Sequence, residues 1–110
     1  ALEAAREAVD IRRRLANDRP DAFGSDLARS LGVLGVCLAA DVRLREAVDA
    51  FAEGVRTLSP AFLRLPQAFA PLMGTLVSLY LTHAKELGES PDLELLGPIT
   101  AKLEEFKGGE

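Results

Sequence analysis

Tryptophan is absent from the 110 residues, and cysteine, histidine, methionine and tyrosine each occur once. The lone Cys37 excludes an intramolecular disulfide and a cysteine-rich metal cluster. Set inside an apolar stretch, it reads as a reduced, buried thiol. The lone His83 has no further ligand at helical spacing, and neither Ser59 nor Ser78 has a histidine–carboxylate pair beside it. Metal binding and nucleophilic catalysis therefore have no residues to work with, and neither an enzymatic activity nor a cofactor is expected. Positive charge is also short. Thirteen Lys and Arg against 17 Asp and Glu give a formal charge of −4, the wrong balance for displacing counterions from nucleic acid. No G-x-x-x-x-G-K-[ST] run occurs, and Gly32 and Gly35 fall within a helical pattern rather than on a strand-to-helix turn.

What the chain does have is 48% apolar residues, mostly Ala, Leu and Val, with no alternating β-branched run. Ala and Leu at helical spacing predict helices packed on helices. A repeat is present as well. Pro20-Asp21-Ala22-Phe23 returns as Pro66-Gln67-Ala68-Phe69, a shift of 46 residues (66 − 20). The same shift carries Ala1-Leu2-Glu3-Ala4 onto Ala47-Val48-Asp49-Ala50, Glu7 onto Glu53 and Val9 onto Val55 without a gap.

Five helices follow from periodicity and stop signals. The first runs from Leu2 to Ala16 and ends in Asn17-Asp18-Arg19-Pro20, since proline disfavours helix in the residue before it. The second runs from Ser25 or Asp26 to Ala39, with Leu27, Leu31, Leu34 and Leu38 on one face. The third spans Leu44 to Leu58, with Ser59-Pro60 as its break. The fourth opens at Pro66 and reaches Leu87 before Gly88. The fifth starts at Ser90-Pro91, ends near Phe106 and is predicted to kink or split at Gly97-Pro98. Lys107-Gly108-Gly109-Glu110 is expected to fray. Arg12, Arg13, Arg14 and Arg19 point around the helix rather than along one stripe, and read as a solvated helix end favoured by the C-terminal dipole.

The second and third helices carry Leu31-x2-Leu34-Gly35-x2-Leu38, then Ala47-x3-Phe51, with Gly54 and Pro60 beyond. This resembles the tetratricopeptide repeat, W-x2-L-G-x2-Y followed by A-x3-F and a later proline. Gly35 and Ala47 are small, so two antiparallel helices can approach closely, while Leu31, Leu34, Leu38 and Phe51 fill the space between them. The family unit is 34 residues, and a period of 46 resembles its long-helix bacterial and fungal variant. That variant is often found beside nucleotide-dependent signalling or protease modules. The resemblance implies an all-α, right-handed superhelical array segment, here a C-terminal piece of a larger array. Residues 1–23 form a partial repeat, 24–60 a full one and 66–88 a degenerate one, with 89–110 as capping helix and tail. In the degenerate copy Leu81 replaces Gly35 and Gly97 replaces Phe51.

In such arrays the first helix of each hairpin lines a concave groove. Carried over, the groove-facing candidates are Arg29, Gly32, Val36 and Ala39, then Thr75, Ser78, Thr82 and Lys85. Gly32 and Val36 exclude the Lys/Asn grip on a chaperone-tail carboxylate. The resemblance therefore implies a scaffold binding an apolar helix or extended peptide. The alternative is self-association, a homodimer formed through the apolar stretch Leu65–Leu81 of the fourth helix. That stretch falls short of the ~20 residues of a membrane span and holds Pro66 and Pro71, so no membrane contact is expected. A cytoplasmic location is the expectation.

Overall fold

The computed structural model describes residues 1–108. It is all-α: α1 (Leu2–Asp18), α2 (Pro20–Ala40), α3 (Leu44–Arg64), α4 (Pro66–Leu87) and α5 (Leu93–Gly108), with no strand among the described residues. Consecutive helices pack on one another, and α5 lies against both α4 and α3. The core they enclose is built from Leu31, Phe51, Leu58, Phe62, Met73, Leu76 and Ile99, all fully buried. Among the described residues no polar side chain is buried without a partner, as close-packed interiors require.

The 46-residue period reappears in backbone geometry. Two helix pairs meet at one-residue corners, Arg19 (φ −138°, ψ 77°) and Leu65 (φ −130°, ψ 68°). At each corner the carbonyl of that residue accepts from the amides three and four residues later: those of Ala22 and Phe23 at Arg19, and those of Ala68 and Phe69 at Leu65. The first helical residue is Pro20 in α2 and Pro66 in α4. Proline suits that position because its missing N–H would have no helical partner there.

The other two connections match as well. The Arg43 N–H donates to Leu38 O at 2.9 Å and the Val42 N–H to Ala39 O at 3.0 Å. Forty-six residues on, the Glu89 N–H donates to Ala84 O at 2.9 Å and the Gly88 N–H to Lys85 O at 3.0 Å. This pair of bonds is the Schellman closure, which needs a left-handed residue. Gly88 supplies it with φ 79°, but its counterpart is Val42 with φ 59°. A β-branched residue in that region is strained by roughly 1–2 kcal/mol. Val42 is 81% exposed, so no packing is lost with its side chain. Val42→Gly should therefore raise stability by about 0.5–1 kcal/mol. A urea midpoint that stays put or falls would contradict the left-handed turn.

Four expectations need correction. α2 begins at Pro20 rather than at Ser25 or Asp26. Asn17 and Asp18 still belong to α1, because a single extended residue, Arg19, suffices to turn the chain. α3 runs through Pro60 to Arg64: a proline one turn from a helix end removes only one interior hydrogen bond. Finally, α5 is not split at Gly97-Pro98, and it starts after Asp92, whose Oδ1 accepts the Leu95 N–H at 3.1 Å as an N-cap. Of the expected frayed tail, Lys107 and Gly108 belong to α5, and Gly109 and Glu110 lie outside the described residues.

The second hairpin does not copy the first. Gly97, which stands where Phe51 stands in α3, is exposed, and Leu96 and Ile99 are buried instead. The turn of α5 is held to α4 by the Asp92 N–H, which donates to the Tyr80 hydroxyl at 2.9 Å.

Candidate functional site

Gly32, Gly35 and Gly54 decide how closely α2, α3 and α4 approach. A Cβ at Gly35 would stand 2.7 Å from Phe51 Cδ1 and Cζ. At Gly32 it would meet Leu76 Cδ2 at 3.0 Å, and at Gly54 the same atom at 3.3 Å. Leu76 of α4 is thus a knob seated between two glycines, one on α2 and one on α3. Leu31, Leu34, Leu38, Ala47, Phe51 and Gly54 are all buried around this junction.

The consequence at the surface is a groove of about 330 Å³ between α2 and α4. Its α2 wall is Arg29, Gly32, Val33, Val36 and Cys37, and its α4 wall is Leu72, Thr75, Leu76 and Leu79. Both sets recur every three or four residues, so each wall is one helix face. Val33 and Val36 are 54% and 49% exposed, whereas large aliphatic residues on a monomer surface are usually scattered singly. Polar character is confined to Arg29, which reaches Asp26 at 3.6 Å, and Thr75, whose hydroxyl donates to Pro71 O at 3.0 Å.

Of the groove residues expected from the sequence, Arg29, Gly32, Val36 and Thr75 are brought together here. Ala39 is half-buried against the core, and Ser78, Thr82 and Lys85 are exposed on α4 without lining the groove. Lys85 instead borders a shallow hollow with Leu81, Gly88 and Pro91. Sequence reasoning missed Val33, Cys37, Leu72, Leu76 and Leu79. Each lies within four residues of a predicted one, and the signal was available in the apolar i, i+3, i+4 pattern of α2 and α4. Cys37 is partly accessible in the groove wall rather than fully buried.

Several other singular residues have structural roles. The His83 ring lies 5.1 Å from that of Phe51, with Nδ1 2.8 Å from Leu79 O and Nε2 4.0 Å from Glu86. Arg13 is not merely a solvated helix end, because it makes a bidentate ion pair with Glu53, joining α1 to α3. Two turns earlier, Arg6 donates one bond to Glu46 at 3.3 Å, also joining α1 to α3. Glu46 also accepts from Arg43 Nε at 2.6 Å. Arg43 first, and Arg6 after it, hold the Glu46 carboxyl below the usual carboxylate range, as Arg45 does for Glu89.

The apolar residues of α4 mostly turn inward: Met73, Leu76, Val77, Tyr80 and Ala84 are buried, leaving Leu81 39% exposed. A larger cavity of about 440 Å³ lies between the α1–α2 corner and the α3–α4 corner. Its charges are spent on each other, Arg13 on Glu53 and Arg64 on Asp21 at 3.7 Å, which leaves the α2–α4 groove as the most uniformly apolar feature. Among the described helices, α2 and not α4 is long and apolar enough to cross a membrane, with a mean hydropathy of 1.3 over its best window. The chain matches no family model, no curated protein and no solved structure.

Proposed function

We propose that this chain is a protein-interaction scaffold segment of the tetratricopeptide kind, which takes an apolar helix into the groove between α2 and α4. The observation that carries this reading is the exposure of Val33 and Val36 opposite Leu72, Leu76 and Leu79 in a groove whose polar groups are already engaged. A helical occupant fits better than an extended one. An extended peptide would bring unpaired N–H and C=O groups to a wall that offers almost nothing to pair them, whereas a helix satisfies its own. From Arg29 to Cys37 the wall is about 12 Å long at the helical rise, room for roughly two turns and their apolar anchors. Arg29 at one end would favour an acidic residue on that flank of the partner. Binding by shape and apolar burial involves no bond chemistry.

The test is selection of helical peptides from an amphipathic library displayed against the whole chain. Selected peptides should lose roughly tenfold to a hundredfold in affinity on Val36→Asp, because an ionised carboxylate would be desolvated without a partner. Circular dichroism should be unchanged, since Val36 is half exposed. Peptides indifferent to Val36→Asp, or a library that yields no binder, would sink the groove assignment.

A further inference from the structure

α2 and α4 run in the same direction. Gly35 sits against Phe51 and Gly54 against Leu31, so α3 passes α2 antiparallel. Gly54 also sits against Leu76 and Phe51 against His83, so α4 passes α3 antiparallel in turn. Across the groove Gly32 meets Leu76. That contact puts Arg29 at the same end as Leu72, and Val36 and Cys37 at the same end as Leu79. The groove therefore has a direction, set by two parallel helices, and its two ends differ in charge.

At the first end stands Arg29, the one charged residue among those described in the groove walls. Its side chain is 61% exposed, and its one ion pair among the described residues, to Asp26 at 3.6 Å, leaves most N–H donors of the guanidinium unused. Beyond the other end, the exposed charges in register with the walls are acidic. Asp41 caps α2 four residues past Cys37, and Glu86 follows Leu79 by two turns of α4. Both carboxylate side chains are more than half exposed. A helix offers the opposite polarity at its two ends, with partial negative charge on its last carbonyls and partial positive charge on its first amides. Its C-terminal turn therefore matches Arg29, and its N-terminal turn matches the end beyond which Asp41 and Glu86 lie. Placed so, the helix runs antiparallel to both walls, as α3 already does where it packs on the same two helices. We infer that the groove takes its helix antiparallel to α2 and α4, with an acidic C-terminal turn of the partner resting on Arg29. This direction rests on the helix-in-groove reading above and goes beyond it.

The probe is a synthetic helix of about 14 residues with a leucine stripe at i, i+3, i+4 and i+7 and glutamates in its last turn. It carries a nitroxide amino acid at its C-terminal end, and amide signals of the whole chain are recorded with the label oxidised and then reduced. The amides of Arg29 and Leu72 should broaden more strongly than those of Cys37 and Leu79. Moving the label to the N-terminal end should exchange the two sets. Arg29→Glu should weaken this peptide by roughly threefold to tenfold, and a peptide with lysines in place of the glutamates should prefer the variant to the natural chain. Circular dichroism should be unchanged, since the Arg29 side chain is mostly exposed. Stronger broadening of Cys37 and Leu79 by the C-terminal label would overturn the direction while leaving the groove in place. An affinity indifferent to Arg29→Glu would overturn the role of the acidic turn. A peptide that does not bind, or binds without broadening either wall, would sink the groove reading and the direction with it.

Discussion

Gly35→Leu should unfold this chain or leave it with a small fraction of its stability, although leucine is the better helix former by close to 1 kcal/mol. The first carbon added at Gly35 already stands 2.7 Å from two atoms of the Phe51 ring, well inside van der Waals contact. That ring is fully buried and cannot swing aside into solvent. Relief would require α2 and α3 to separate along the junction that also seats Leu76, so the cost exceeds the usual ~1–3 kcal/mol of overpacking. Gly74→Ala in α4 is the control. Nothing lies within 4 Å of a Cβ there, so the same kind of change in a helix interior should stabilise by about 0.5–1 kcal/mol. Urea midpoints should move in opposite directions for the two variants. A Gly35 variant at least as stable as the natural chain would show that α2 and α3 do not approach as described.

Phe51→Ala is expected to cost about 3–5 kcal/mol, a large part of the ~5–15 kcal/mol by which domains of this kind are folded. Phe51 touches Gly35 on α2 and lies 5.1 Å from the His83 ring on α4, so its removal opens a cavity where three helices meet. Glycine at position 35 has no side chain with which to fill that space. By the scaling for small domains the thermal midpoint should drop by roughly 15–30 °C, read by circular dichroism at 222 nm. A drop of only a few degrees would mean that the helices close over the void. Phe51→Leu should also rescue part of the loss caused by Gly35→Ala, because the two positions share one volume. Additive effects would show that they do not touch.

Much of this architecture was legible without coordinates. The Leu/Ala-rich composition and the apolar spacing gave helices, and the recurring Pro-x-Ala-Phe marked two equivalent corners. The resemblance to the repeat family marked Gly35 and Ala47 as the small residues of the α2–α3 approach and Phe51 as one of the residues filling it, whereas the direct meeting of Gly35 with Phe51 came from the structure. Less legible were the helix ends. Proline both starts and stops helices, and whether Pro20 opens α2 or Pro60 breaks α3 depends on which hydrogen bonds the neighbouring turns can do without. The left-handed conformation of Val42 was hidden for a related reason: nothing in valine announces it, and only the alignment with Gly88 in the repeat reveals the position.

The groove divides along the same line. Arg29, Gly32, Val36 and Thr75 could be placed on a common surface because a helix face is a local property, set by 3.6 residues per turn. Ser78, Thr82 and Lys85 continue their face just as regularly, yet they leave the groove, and Cys37 enters it. The sequence by itself determined the helices, their repeat and the small residues at which they touch, because these depend on short-range spacing and side-chain size. Only the tertiary structure decided where α2 and α4 diverge, and that α5 buries Leu96 and Ile99 instead of copying Phe51. Those outcomes depend on the angles between helices, which are set by the summed packing of residues far apart in the chain.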